Sequence, residues 1–397
     1  LKLRFIILCF LLLFLLNLAA FSAPAGIDAT TSGSETLHEF SFYLHLKDNA
    51  YAPISIEIPS NIGVEFKKEP FPNKGKIFRS VLPVGDGKNP IPFAWNVSKR
   101  TLYVNFNRNL DLTDAAQYPT RYSRSSYYEY FDFRIPLKID DMSTSYLVNT
   151  MFYLNKDRFS GSVNIRSRWE DLVELYGKKY KLIVVDDMDG KIDFHGRDLI
   201  FVIPVDDPSG ENIVYQTWSN PTKIKPDILF LNGHAFKFNA EFAKRDKKPC
   251  VKVTLREIKT ETEAVQIAGQ HIKYLYLFGN NLIIQGSPGK EIRVPAGRYP
   301  QVRVILGNDK SNFFASCDLP LHNFEVVKGK PATLTVGGPL KTIVDARQNG
   351  RYLQLTYRLV DNNNNDYTLV TEGPKHPPRA VIYQNGREIQ SGNFEYG

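Results

Sequence analysis

In the stretch HEFSFYLHL (His38–Leu46) the apolar side chains Phe40, Phe42, Leu44 and Leu46 recur at every second residue. That spacing is wrong for a helix and puts all four on one face of an extended chain. Phe131, Phe133, Ile135 and Leu137 repeat the pattern, with Tyr130, Asp132 and Arg134 on the opposite face. Further strand-length runs fall at 181–185, 199–203, 251–255, 281–285, 302–306, 333–336, 352–359 and 380–383. Gly, Pro, Asn and Asp separate them, as turns require. Asn385-Gly386 between two such runs predicts a tight hairpin, because that dipeptide takes two positive φ angles cheaply. Only Arg168–Tyr176 (RWEDLVELY) and Glu261–Ala268 (ETEAVQIA) also read as short helices. With 26 Phe and 21 Tyr in 397 residues, the composition agrees with a mostly β chain. The expected architecture is a series of tandem β-sandwich or immunoglobulin-like domains.

The chain opens with Lys2 and Arg4, an apolar run from Phe5 to Leu16, and small residues around Ala23-Pro24-Ala25. This is the pattern of a secretory signal peptide over residues 1–25, with an apolar run too short to span a bilayer comfortably. No later segment reaches the roughly 18 apolar residues of a membrane span. The expected localisation is therefore export to the periplasm, the cell surface or the medium. Without residues 1–25, which carry two basic residues and no acid, the formal charge falls from +8 to +6. The basic residues are scattered and form no recognisable nucleic-acid module, so nucleic acid is not an expected partner. A cell-surface polymer or polysaccharide is. Composition and turn signals divide the remainder into 26–139, 140–221 (which could share one unit with the first), 222–288 and 289–397. Cys250 and Cys317 are the only cysteines after residue 25, and pairing between them stays open.

Two loops carry the densest metal-ligand chemistry. In VVDDMDGKIDFHGRD (Val184–Asp198), Asp187, Asp189 and Asp193 take the third, fifth and ninth positions of a calcium loop, with Gly190 at the sixth. Val185 then occupies the first position and Gly196 the twelfth, so Asp186 and Asp198 would have to substitute for the missing ligands. In YVNFNRNLDLTD (Tyr103–Asp114), Asn105, Asn107, Asn109 and Asp111 offer oxygens on alternate residues. Amide oxygens are neutral, so this loop would hold calcium less strongly. Asn and Asp also favour turns for backbone reasons alone, and that reading stands beside the cation reading at both loops. Asp361–Asp366 reads as a polar hairpin tip.

LYVNFNRNLDLTD resembles the LYVDxNxDGDLTD strand-plus-loop of uncharacterised exported β-rich proteins of planctomycete-like bacteria. KLIVVDDMDGKIDFHGRDLIFV is similar to a second element of those proteins, and LQLTYRLVDNNNNDYT with SGNFEYG to their C-terminal portion. The resemblance implies an exported β-rich chain with cation-loop-like turns and brings no activity with it. This chain departs from the pattern at Asn105, Asn109 and Leu110, where Asp, Asp and Gly would stand.

Other catalytic signatures are absent: no HExxH, GxSxG, P-loop or dinucleotide fingerprint occurs. His195, beside Asp193 and Asp198, is a further ligand candidate, though a solvated loop histidine is the commoner case. Tyr122, Arg124, Tyr127, Tyr128 and Tyr130, interleaved with serines, suit a surface that stacks on sugar rings, or a strand start that packs its tyrosines. Trp95, Trp169 and Trp218 read as core residues. The leading expectation is a noncatalytic cell-envelope or extracellular protein with a structural, adhesive or ligand-binding role, stiffened by calcium. The alternative is a polysaccharide-acting β-rich hydrolase, which needs two acids about 5–10 Å apart across a cleft.

Overall fold

The computed structural model describes residues 36–48, 54–59, 63–71, 75–84, 90–125, 128–155, 158–194, 198–207, 226–308, 311–321, 324–350, 352–370 and 379–393. The expected signal peptide, Tyr127, His195 and Trp218 lie outside them. Among the described residues the chain is all β, without a helix, and none of it is helical, long and apolar enough to cross a membrane.

Both helix-compatible segments are strands, Ser167–Leu175 and Glu263–Ile267. In the first, Trp169, Val173 and Leu175 are buried while Leu172 and Tyr176 face solvent. Toward the end of this strand burial alternates, with Leu172 and Glu174 out and Val173 and Leu175 in, which is strand rather than helical spacing.

Two compact units form. One comprises Glu39–Lys225 and Lys237–Arg256; the other comprises Pro226–Phe236 and Glu257–Gly397 with the described residues up to His38. The described residues of 39–139 and 140–221 share one unit, the arrangement left open by the turn signals. The cut at 139/140 falls in a hairpin, where Tyr128–Ile139 pairs antiparallel with Met142–Asn155 along its whole length. Asp140 turns that corner at φ 52°, a left-handed conformation that Asp tolerates. The cut at 288/289 falls between Asn281–Gly286 and Glu291–Val294, both strands of one unit.

In the Glu39–Lys225 unit, a five-stranded sheet built on the 128–155 hairpin faces a four-stranded sheet, 77–119. Aromatic rings join them: Phe93 stacks on Phe152 at 5.3 Å, Trp95 meets Phe152 at 5.2 Å, and Phe78 stacks on Phe159 at 5.4 Å. On Tyr128–Ile139 the buried positions are Glu129, Phe131, Phe133, Ile135 and Ile139, the alternation expected of a half-buried strand. Glu129 is tolerated there because Trp95 Nε1 and Arg100 Nε donate to its carboxylate, each at 2.9 Å. Ser167–Leu175 pairs with Lys178–Val185, which pairs with Leu199–Pro204; this last pair frames the Asp-rich loop.

In the other unit, strands 272–278, 281–286 and 301–308 supply Leu275, Leu277, Ile283, Val302 and Val304 to one core. Val265, Ile267, Ile292, Val294 and Leu334 of a three-stranded sheet close over them. Cys317 is buried in this core and Cys250 in the other unit, both as free thiols. Arg379–Gln384 and Arg387–Asn393 form the hairpin expected at Asn385-Gly386, with φ of 51° and 76° at the turn.

Candidate metal centre

The strand Lys178–Val185 is buried over its last four residues and runs directly into Asp186, whose carboxylate is consequently taken inside with no exposed surface. The chain reverses through Met188 (φ 67°) and Gly190 (φ 87°), with the Met188 side chain buried as an anchor. Carboxylate oxygens of Asp186, Asp187 and Asp189 come within 4.8 Å of one another.

Each acid is held by fixed donors. Asp186 Oδ1 accepts the Met188 N–H at 2.8 Å, and Asp186 Oδ2 accepts the Tyr146 hydroxyl at 2.7 Å. The Tyr146 oxygen in turn accepts Trp169 Nε1–H at 2.7 Å, giving a buried Trp169–Tyr146–Asp186 relay of hydrogen bonds. Asp187 Oδ1 accepts the Asp189 N–H at 3.2 Å, and Asp189 Oδ1 accepts the Lys191 N–H at 2.8 Å. Asp198, only 5% exposed, closes the loop: its two oxygens accept the N–H groups of Asp187 at 2.9 Å and Asp193 at 2.6 Å.

The electrostatics are strained for carboxylates alone. Burial, opposed by the Tyr146 and Met188 hydrogen bonds and reinforced by the charges of Asp187 and Asp189, pushes Asp186 up to about 7. Burial, and next the charge of Asp186, pushes Asp198 up to about 8. Such a cluster is relieved by taking up protons or a cation. The donors are all carboxylate oxygens, which suit calcium, magnesium or manganese rather than thiophilic metals.

The structure brings Asp187 and Asp189, two of the candidate ligands read from the sequence, together with Asp186. Asp198 acts as the brace of the loop through backbone groups, and Asp193 offers it a backbone N–H. The buried Asp186, which the calcium-loop numbering leaves outside, is the acid at the heart of the cluster. Tyr146 and Trp169 reach it from strands 40 and 17 residues away in sequence. No local signal announces them.

The 105–114 loop has the shape of a calcium loop with a nitrogen at its centre. Asn105 is fully buried, and its Nδ2 lies 2.9 Å from Asn107 Oδ1, 3.0 Å from Asn109 Oδ1 and 3.0 Å from the Asp111 carbonyl. Counted from Asn105, those oxygens belong to the third, fifth and seventh residues, the set that a calcium loop turns on its ion. Asn105 Oδ1 accepts the Leu110 N–H at 3.0 Å, and Leu110 adopts φ 64° where glycine would be at ease. Asp114 Oδ2 ties down the outer amides, accepting from Asn107 Nδ2 at 3.1 Å and Asn109 Nδ2 at 2.9 Å. At the third loop, Asp361 accepts the N–H groups of Asn363 and Asn365 and forms a closed hairpin tip.

Of the tyrosine-rich segment, Tyr122 and Arg124 belong to the strand Tyr122–Ser125, which pairs with Tyr128–Ile139. Tyr128 and Tyr130 are half-buried on the face opposite Glu129 and Phe131, and Tyr128 packs on Tyr153 at 4.7 Å. Trp95 and Trp169 are core residues. The chain matches no protein-family model, no curated protein and no solved structure.

Proposed function

We propose that this is a noncatalytic β-rich protein of the cell envelope or extracellular space, with a structural, adhesive or binding role, whose 186–198 loop is stiffened by calcium. The observation that carries the reading is the convergence of three carboxylates within 4.8 Å on the fully buried Asp186. A divalent ion there replaces mutual repulsion with shared attraction and locks the connection between two adjacent strands. The three acids share one loop rather than facing one another across a cleft as a glycosidase pair does. Export rests on the apolar run 5–16 and on the resemblance to exported proteins with similar loops.

Thermal unfolding of the chain from Gly26 onward, in EDTA and then in millimolar calcium with a magnesium control, tests the reading. At about a hundred times its dissociation constant, calcium stabilises the native state by roughly 2.7 kcal/mol. For a unit of this size that raises the melting midpoint by about 2–4 °C. The double variant Asp187→Ala, Asp189→Ala abolishes the rise. An unchanged midpoint in calcium would leave the acids as proton-sharing turn residues.

A further inference from the structure

We propose that the unit containing Pro226–Phe236 and Glu257–Gly397 carries a binding site for a short neutral glycan, one or two sugar rings long, in a cavity of about 530 Å³. The cavity is of the size that small ligands occupy. It is a product of the local fold. Asn232-Gly233 makes a two-residue turn at φ 48° and 96°, which sets His234 at the start of a strand on the rim. The strand Lys248–Ile258 delivers Glu257 beside it, and Glu291–Val294 supplies Glu291 and Arg293. Buried Phe230, Ile258 and Ile292 add apolar lining.

The chemistry of the lining selects the ligand. Glu257 is only 6% exposed and is held in place by His234 Nδ1 at 2.8 Å from its Oε1. Gln266 Nε2 donates to Glu291 Oε2 at 2.5 Å, and Arg293 Nη2 donates to the Thr262 carbonyl at 2.7 Å. These bonds fix the polar groups before any ligand arrives, which lowers the ordering cost of binding. The two carboxylates are balanced by Lys259 and Arg293. A phosphate or acidic ligand would call for an excess of cationic donors. A quaternary amine would call for an aromatic cage, and neither Tyr nor Trp lines the cavity among the described residues. A purely apolar ligand would take the carboxylates and amides of the lining out of water and offer no hydrogen bonds in return. A sugar hydroxyl donates and accepts at once, so a neutral polyol satisfies carboxylates, amides and basic groups together, with its C–H face on the apolar lining.

This deepens the binding role proposed above but uses other residues in the other unit, so its result is independent of the calcium result. The experiment is saturation-transfer NMR and calorimetry on the full chain, run in EDTA and in calcium, with panels of neutral, acidic and amino sugars as mono- and disaccharides. Expected is binding of neutral members, with and without calcium. Glu291→Gln, at an exposed position, and Glu257→Gln each weaken it about tenfold, while the melting midpoint of Glu291→Gln stays at that of the parent chain. The proposal is overturned if no neutral sugar binds at millimolar concentration, if acidic sugars bind more tightly, or if binding survives both substitutions.

Discussion

At Asn105 one nitrogen stands where the first residue of a calcium loop would turn a carboxylate oxygen, and the three oxygens around it lie at 2.9–3.0 Å from its N–H groups. The side-chain amide thus draws together the oxygens that a calcium loop turns on its ion. Replacing it inverts the arrangement. In Asn105→Asp a buried carboxylate oxygen faces Asn107 Oδ1, Asn109 Oδ1 and the Asp111 carbonyl with no donor between them. In EDTA the variant is expected to lose about 1–3 kcal/mol, the cost of buried acceptors left without partners. Millimolar calcium is expected to return much of that loss, because the same four residues then present the ligands of a calcium loop. Denaturant melts of parent and variant in both buffers check this. A variant equally weak with and without calcium would mean that Leu110, in place of glycine, bars the ion.

Elements were legible in the sequence wherever period two coincided with a buried face, as along Phe131, Phe133 and Ile135, all now in the core. Asn385-Gly386 was legible because its conformational preference is local. Asn232-Gly233, the same signal, also makes a hairpin and would have placed His234 at a strand start. Arg168–Tyr176 was ambiguous because Trp169, Leu172, Val173 and Tyr176 fit a helix stripe, and only pairing with strands far away in sequence decides between the two. The strand assignment has a mutational signature. Leu172→Ala, at a position 61% exposed, should change stability by less than about 0.5 kcal/mol. Leu175→Ala, at a position 3% exposed, should cost about 2–5 kcal/mol. A helical segment would put Leu172 on the buried stripe, so comparable losses at the two positions would contradict the strand. The candidate centre was half legible for the same reason: Asp187 and Asp189 are local, whereas the Tyr146 and Trp169 that hold Asp186 come from other strands.

Across the whole molecule, the strongly raised carboxylates among the described residues lie in the Glu39–Lys225 unit, which gives that unit a neutral pH response that the other lacks. In the Glu39–Lys225 unit, Asp186 and Asp198 titrate near 7 and 8 when folded, against about 3.9 for a free aspartate. Between those values the metal-free folded unit holds more protons than the unfolded chain, so its stability falls as pH rises. The stability is fully present below about pH 4 and is lost by the time pH passes 8. In the other unit the raised groups include Cys317, pushed up to about 12 by burial and then by the charges of Asp318, Asp361 and Asp366, Tyr299, pushed up to about 12 by burial, and Tyr367, raised by burial first. An unfolded thiol ionises near 8.5 and a phenol near 10. That unit therefore keeps this contribution until about pH 8.5 and loses it progressively toward pH 12. Calorimetry in EDTA at pH 5, 8.5 and 10.5 should show one transition moving down by several degrees over the first step. A second should hold over that step, and both should move down over the next, where raised thiols and phenols of each unit ionise. Calcium should cancel the first shift by taking the place of the protons, and should leave the second untouched. If the first shift persists in saturating calcium, the buried acids are settled by protons alone and the loop is not a metal centre.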